Sequence, residues 1–338
     1  MARTGQNPMK WLETATKPHA VTVTSIVHIP ELKDFWAESL DVLKLCFQSL
    51  HENTKEPFDL LVVDNGSCSE VREYLLDTQS TGGIQFLFFS NYNLRKIGAL
   101  RMLLGAAPGE IISYADSDVY FLPGWLGATL KVLATFPEAA QVTALPTSDR
   151  IGQFTNSTLR GITQDHSLHI KRGYDLVPER FKEAHRLSIG KTKEQYAETL
   201  TGKEEVLITR NGVSAYASAQ DFQFTTTRKA LDAIGPLVLR SSGEYFDPVY
   251  SPAFEARADE RGFWRLSTSD YLVHHIGNRM PSKGDGDDWI FRGAPPRASA
   301  PTSAARGTGF TSRLLRSPRV RGVLKRVNAV SYSLLFER

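Results

Sequence analysis

The ordered pattern along the chain begins with β-branched residues. Ala20 to Ile29, AVTVTSIVHI, reads as a buried strand. Leu32, Phe35, Trp36, Leu40, Leu43, Phe47 and Leu50 then recur as on one face of a helix. PFDLLVVDNGS is an apolar strand ending at Asp64, with an Asn65-Gly66 turn. SEVREYLLDTQS predicts a second helix capped by Ser67 or Ser69. IQFLFFS predicts a third strand, and KIGALRMLLGAA a short helix stopped near Pro108-Gly109. EIISYA is a fourth strand that delivers Asp116 and Asp118, and Pro123 opens the helix PGWLGATLKVLATF.

Strands and helices alternating at this spacing predict an α/β fold: a largely parallel sheet with helices on its faces. Such sheets bind ligands beyond the carboxyl ends of their strands. His28, Asp64, Asp116 and Asp118 all fall at predicted carboxyl ends, so polar groups from three strands converge on one edge.

Residues 147–210 are polar and weakly periodic, and read as loops and short helices covering a site. GVSAYASAQDFQFTTTRKALDAIG predicts a strand, a turn and a helix starting near Thr226. PAFEARADERG predicts the last helix of the body, followed by FWRLSTSDYLVHHIGN. From Arg292 to Ser312 the composition is that of a linker. The expected organisation is an extension over 1–18, a main domain over 19–290 divided into halves at 146/147, a linker over 291–312 and a tail over 313–338.

Composition narrows the class. The chain has 338 residues, 41% hydrophobic and 23% charged, as in ordinary globular proteins. No stretch approaches the roughly 18 apolar residues of a membrane span. The first twenty residues lack the apolar core of a secretory signal. Cys46 and Cys68 form no metal-ligand pattern and suit a reduced, cytoplasmic setting. The net charge of +3 is uneven: ten Lys or Arg and one acid after Ile290 give the linker and tail together +9 and leave a body of −6. Confinement of the surplus cations to one tail argues against nucleic acid as a partner.

Two carboxylates one residue apart repel, and each raises the other's pKa. A simple turn or a metal ion would explain Asp116 and Asp118. No Walker A pattern is present, and GTGFTS at Gly307 has neither a preceding strand nor a third glycine. A sheet of this type without a glycine loop needs another means of holding phosphates, and a divalent cation on carboxylates is one.

LLVVDNGS followed by NLRKIGALRMLLGAAPGEIISYADSDVYFLPGW resembles the family 2 glycosyltransferases and their relatives of GT-A fold. The resemblance covers residues 20–130 well and 210–280 loosely. It implies a Rossmann-like mixed, largely parallel sheet flanked by helices. Asp64 matches the acid that contacts the nucleobase or ribose, and Lys96 and Arg101 lie in the linker flanking the donor. Asp116 resembles the first acid of an Asp-x-Asp motif, near ribose and metal, and Asp118 the direct ligand. The implied cofactors are Mn²⁺ or Mg²⁺ and a UDP- or GDP-linked sugar, with the metal neutralising charge on the departing diphosphate.

YLVHHIGN places His274 and His275 at the end of a late strand, where such enzymes often supply a third metal ligand. Alternation sends the two side chains to opposite faces, which favours His275; two satisfied strand histidines are the other reading. The Glu-Asp pair that inverting members carry is replaced by Tyr250-Ser251, and a hydroxyl pair is a poor base. Asp247 or Glu244 from a shifted register, Glu255 from the helix, or a retaining reaction that needs no base would account for this. Asp247 is the first choice, with Glu255 beside it.

The tail begins like a helix at Ser317-Pro318 and sets Val320, Val323, Leu324, Val327, Val330 and Leu334 on one face among four cations. That pattern fits an amphipathic helix on anionic lipid, or one packed on the body or a second subunit. The expectation is therefore a metal-dependent, inverting glycosyltransferase. Its acceptor would be a glycan or lipid-linked hydroxyl, in cell-envelope or exopolysaccharide synthesis on the inner face of the membrane. The alternatives are a retaining enzyme and a degenerate nucleotide-binding scaffold. The oligomeric state is left open.

Overall fold

The computed structural model describes residues 17–235 and 253–281, together with positions 5, 7, 237 and 290. These belong to a compact unit, Met1–Phe291. The expected linker and amphipathic tail, and Glu244, Asp247, Tyr250 and Ser251, lie outside the described residues.

The first half alternates strand and helix: β1 (Val21–Val27), α1 (Ser39–Asn53), β2 (Asp59–Asn65), α2 (Ser69–Ser80), β3 (Phe86–Ser90), α3 (Arg95–Ala106) and β4 (Ile111–Asp116). After the Ser117-Asp118 turn come β5 (Val119–Phe121), α4 (Trp125–Thr135) and β6 (Ala139–Thr143). The second half adds α5 (Asn156–Gln164), β7 (His169–Gly173), α6 (Glu179–Ser188), α7 (Lys193–Leu200), β8 (Glu205–Arg210), β9 (Val213–Tyr216) and β10 (Gln223–Thr227). It ends with α8 (Arg228–Ile234), α9 (Ala253–Glu260), β11 (Trp264–Thr268) and β12 (Val273–His275).

Ten strands form one sheet in the order β3-β2-β1-β4-β10-β6-β11-β9-β8-β7. The block β3-β2-β1-β4 is parallel throughout. β10 enters antiparallel between β4 and β6, and β11 pairs β6 in parallel. β7, β8 and β9 continue antiparallel to the far edge. A separate antiparallel pair sets His275 opposite Val119 and His274 opposite Tyr120. It fixes the late histidines beside the Asp-x-Asp turn, and Ile276 N–H donates to the Asp118 carbonyl at 2.7 Å.

Central position in a parallel block demands burial on both faces. All seven residues of β2 are accordingly buried, whereas the edge strand β3 leaves Phe88 and Phe89 40% exposed. One core joins Leu61, Val63, Leu100, Leu103, Phe224 and Phe254. A second joins Val132, Phe136, Ile162, Ile208, Trp264 and Leu266. Each such side chain contributes about 1.5–3 kcal/mol of transfer free energy on burial.

Several expectations need correction. The helix predicted from Leu32 is a short 3₁₀ turn at Asp34–Trp36 followed by α1; Phe35 is 61% exposed, so the front of the apolar stripe is not core. The N-cap of α2 is Cys68, with no side-chain cap, because the Ser67 hydroxyl accepts from Ile29 N–H at 3.1 Å. α4 starts at Trp125 after Gly124, whose φ of 86° suits glycine. QFTTT, expected within a turn and helix, is β10. Residues 147–210 contain β7 and β8 as well as helices. The edge strand β7 has no buried position, and that hid its period in the sequence.

Candidate active site at the carboxyl edge

β4 ends at Asp116, whose backbone N–H donates to Phe222 O at 2.7 Å. Its carboxylate is held from two sides. Lys96 Nζ, from the first turn of α3, lies 3.0 Å from Oδ2, and the Tyr114 hydroxyl donates to Oδ1. Burial and the neighbouring Asp118 lift the Asp116 carboxyl above its ordinary range, against Lys96. Burial alone would lower Lys96, but Asp116, Asp221 and Glu255 outweigh it and keep the amine charged.

Asp118 sits one residue beyond the strand. Its Oδ2 lies 3.2 Å from His275 Nε2, and its Oδ1 is buried without a hydrogen-bond partner. His275 Nδ1 lies 3.2 Å from Ser188 O, and the Phe222 ring stands 5.4 Å from the imidazole. Burial alone would lower the imidazole; the Asp118 charge and hydrogen bond, with Asp116 and the Ser188 carbonyl, push it up to about 9. Each acid of the pair therefore has its own cationic neighbour. His274 faces the other way, buried, with its Nδ1 2.6 Å from the Tyr271 hydroxyl.

The structure brings Lys96, Asp116, Asp118 and His275 together. It places other expected residues elsewhere. Asp64 is fully buried, and its oxygens accept from Ser67 N–H at 3.0 Å and Arg72 Nε at 2.7 Å. Its carboxylate ties the β2–α2 turn to the start of the helix. Arg101 follows Lys96 by five residues, about 140° around the helix. It is exposed and lines a separate cavity with Leu104, Arg228 and Phe254. Glu255 is 2% exposed in α9 and reaches the site through its charge on Lys96.

Two cavities meet at His275. One, of about 680 Å³, is walled by His28, Trp36, Ser117, Asp118 and Ile189. The other, of about 450 Å³, is walled by Asp116, Asp149, Arg150, His185 and Asp221. Of this cavity's charged residues the sequence points to Asp116 and His275, but not to Asp149, Arg150, His185 or Asp221. Asp149 accepts from Gln220 Nε2 at 2.8 Å, lies 3.4 Å from His185 Nε2, and is bonded by the Thr147 hydroxyl. Arg150 joins Asp221 at 2.9 Å and Gln220 Oε1 at 2.9 Å. The available signal was an apolar run, AAQVTAL, giving way to the polar cluster PTSDR, the same signature that marked Asp64.

Among the described residues no three His, Cys, Asp or Glu side chains form a ready metal cage. A two-ligand arrangement is nonetheless the usual one for a cation whose remaining ligands are phosphates and water. The buried, unpartnered Asp118 Oδ1 and the facing His275 Nε2 fit that role, as hard oxygen and borderline nitrogen donors.

The sheet and this carboxyl-edge cluster define an α/β protein with a polar site at the ends of its parallel strands. Residues 35–187 match the family model Glycosyl transferase family 2. The match spans a little under half of the chain. Among curated proteins none matches it. Similar solved structures include a mannosyltransferase from Pyrobaculum calidifontis in complex with GDP-Man and Mn²⁺, 14% identical over 83% of this chain and 64% of that one, TM-score 0.44. GalNAc-T7 with UDP, GalNAc and Mn²⁺ is 13% identical over 81% and 48%, TM-score 0.44. S. aureus TarS 1-349 in complex with UDP is 15% identical over 38% and 39%, TM-score 0.31. The chain thus spans less than two thirds of the length of each of these.

Proposed function

We propose that the protein is a divalent-metal-dependent glycosyltransferase that moves a sugar from a UDP- or GDP-linked donor to a hydroxyl acceptor. The observation that carries this reading is Asp118, with one carboxylate oxygen beside His275 Nε2 and the other buried and unpartnered, at the junction of two cavities.

Asp118 and His275 would hold Mn²⁺ or Mg²⁺, which when bound supplies positive charge to a departing diphosphate. Asp116, oriented by Tyr114 and Lys96, faces the second cavity and would accept a hydroxyl hydrogen bond from the donor. His28 and Trp36 wall the first cavity, where the nucleoside would lie. The acceptor, a glycan or lipid-linked alcohol, would enter from the Asp149–Arg150 side. Asp247 is the proposed general base. Glu255 is the less suitable candidate, because its buried carboxylate serves Lys96. No helix among the described residues is long and apolar enough to cross a membrane; attachment to an inner membrane surface would fall to the basic tail.

The test is calorimetric binding of UDP, GDP and their sugar conjugates with and without Mn²⁺, for the wild type and Asp118→Ala. One nucleotide should bind in a metal-dependent way. Losing a residue that orients a ligand costs about 10–100-fold in metal affinity, so losing the ligand itself should exceed about 100-fold. Absence of nucleotide binding under every metal condition would overturn the reading. Tyr250-Ser251 in place of Glu-Asp favours, as a second reading, a module that binds the donor without transferring it. Binding without turnover would select that alternative.

A further inference from the structure

The backbone bonds that end α6 leave the Ser188 carbonyl out of the terminating turn. Gly190 N–H donates to Leu187 O at 3.0 Å, and Lys191 N–H to Arg186 O at 3.2 Å. Gly190 holds φ at 66°, in the left-handed region. These two bonds and that dihedral make a Schellman termination, which satisfies some of a helix's last carbonyls and not all. The Ser188 carbonyl is the one turned toward the site, 3.2 Å from His275 Nδ1. It brings with it the negative end of the helix dipole.

A side chain locks this loop in place. Arg186 reaches across the turn and donates from Nη1 to the Lys191 carbonyl. Its Nε and Nη2 grip both oxygens of Glu183, at 2.7 and 2.8 Å, one turn back on α6. The guanidinium is thus used on both edges, and its side chain is only 12% exposed. Ile189, carried by the same loop, lines both cavities that meet at His275.

A histidine that ligates a metal through one nitrogen needs a partner on the other to fix tautomer and ring plane. The structure assigns that task to the Arg186-clamped loop Ser188–Lys191, which makes Arg186 a positioning residue for the His275–Asp118 metal site, although it touches neither. The inference rests on the metal-dependent reading of that site. With Nδ1–H donated to Ser188 O, the Nε2 that hydrogen-bonds Asp118 would give up its proton on metal binding and offer its lone pair to the cation there. The loop that lines both cavities then also sets the strength of the metal site between them.

The experiment measures the Mn²⁺ dissociation constant in the presence of saturating nucleotide, by calorimetry, with melting temperature recorded in parallel. The variants are Arg186→Ala, Arg186→Lys, Gly190→Pro and Arg180→Ala, the last on the same helix but outside the clamp. Arg186→Ala should weaken Mn²⁺ about tenfold, at the lower end of the range for orienting partners. Arg186→Lys should recover part of that, because an amine can still reach the Lys191 carbonyl. Gly190→Pro cannot adopt the positive φ and should weaken Mn²⁺ at least as much without removing any side chain of the site. Arg180→Ala should leave the affinity unchanged. If Arg186→Ala and Gly190→Pro lower the melting temperature but bind Mn²⁺ like the wild type, the clamp is merely structural and the inference is overturned. Should Arg186→Ala fail to fold, Gly190→Pro decides alone. If the wild type itself shows no metal-dependent nucleotide binding, the functional reading has failed instead, and the two failures are distinct.

Discussion

The two halves of the sheet solve the same problem differently. In the parallel block, the inner strands β2, β1 and β4 are buried on both faces and lead into polar residues at one edge. Beyond β10 the sheet is mostly antiparallel, and its polar groups are buried in pairs and networks instead. Lys182 and Glu205 meet at 2.8 Å with 7% and 2% of their side chains exposed. Glu205 also takes the backbone N–H groups of Leu176 and Val177 at 2.6 and 2.8 Å. The parallel half is specified by hydrophobic pattern, and the other half by polar satisfaction. The first kind of order places a site, and the second shapes what surrounds it.

The sharpest way to probe this difference is to add one methyl group to each half. A Cβ on Gly109 would come 2.8 Å from Ala20 O and Thr22 N, backbone atoms leading into β1, which is hydrogen-bonded on both sides and cannot give. A Cβ on Gly161 would come 2.3 Å from the Trp264 indole nitrogen, a side chain that can turn at a cost. Overpacking typically costs about 1–3 kcal/mol and occasionally more. Gly109→Ala should therefore lose about 3 kcal/mol or more, and Gly161→Ala about 1–3 kcal/mol, in urea unfolding at neutral pH. Equal losses would remove the mechanical distinction between the halves.

Legibility in the sequence follows the same division. The β1, β2 and β4 runs could be read because parallel central strands are continuous apolar stretches. Asp116 and Asp118 could be read because a strand must end before it turns. The alternation of His274 and His275 was legible from the two-residue period alone. β7 was not, since His169, Lys171 and Arg172 are exposed and its period has no buried side to mark it. The Asp149–His185–Gln220 network was not legible either. Its members are 36 and 35 residues apart, and only the folded chain brings them to 3.4 and 3.0 Å. Arg101 is expected beside the donor only through the resemblance of its linker, and the linear sequence conceals the rotation of about 140° that separates it from Lys96.

A smaller effect is expected at the boundary between the halves. Lys96 from α3 neutralises Asp116 at 3.0 Å, and each side chain is 28% exposed. Breaking a fully buried pair costs about 3–5 kcal/mol, while exposed pairs contribute about 0–1 kcal/mol. Lys96→Met should fall between, near 1–2 kcal/mol in chemical denaturation without metal. Added Mn²⁺ should restore part of the loss, because a cation at Asp118 also relieves Asp116. A loss indifferent to Mn²⁺ would separate the two acids electrostatically.

The polar half should reveal itself on acidification. Burial alone would raise the Asp149 carboxyl, but His185, Thr147 and Arg150 prevail and hold it well below the usual carboxylate range. A group depressed in this way stabilises the fold above its unfolded pKa, near 4, and the contribution is lost as pH falls toward the folded value. The slope for one proton is at most about 1.4 kcal/mol per pH unit. The wild type should lose stability below about pH 4, and Asp149→Asn, less stable at neutral pH, should lose it less steeply there. Identical slopes would mean that other carboxylates govern acid unfolding.

The smallest effect is expected at Arg101, and it decides how far the sequence pattern can be trusted around α3. Lys96 and Arg101 share one helix, but only Lys96 faces Asp116. Arg101 is exposed on the wall of the cavity with Arg228 and Phe254. Exposed substitutions away from caps and networks usually change stability by less than about 0.5 kcal/mol. Arg101→Ala should therefore leave both stability and metal-dependent nucleotide affinity within about twofold of the wild type. A tenfold loss of affinity would require α3 to rotate or shift when the donor binds. The resemblance of its linker to that of donor-flanking helices would then have been the better guide than the position of its side chain.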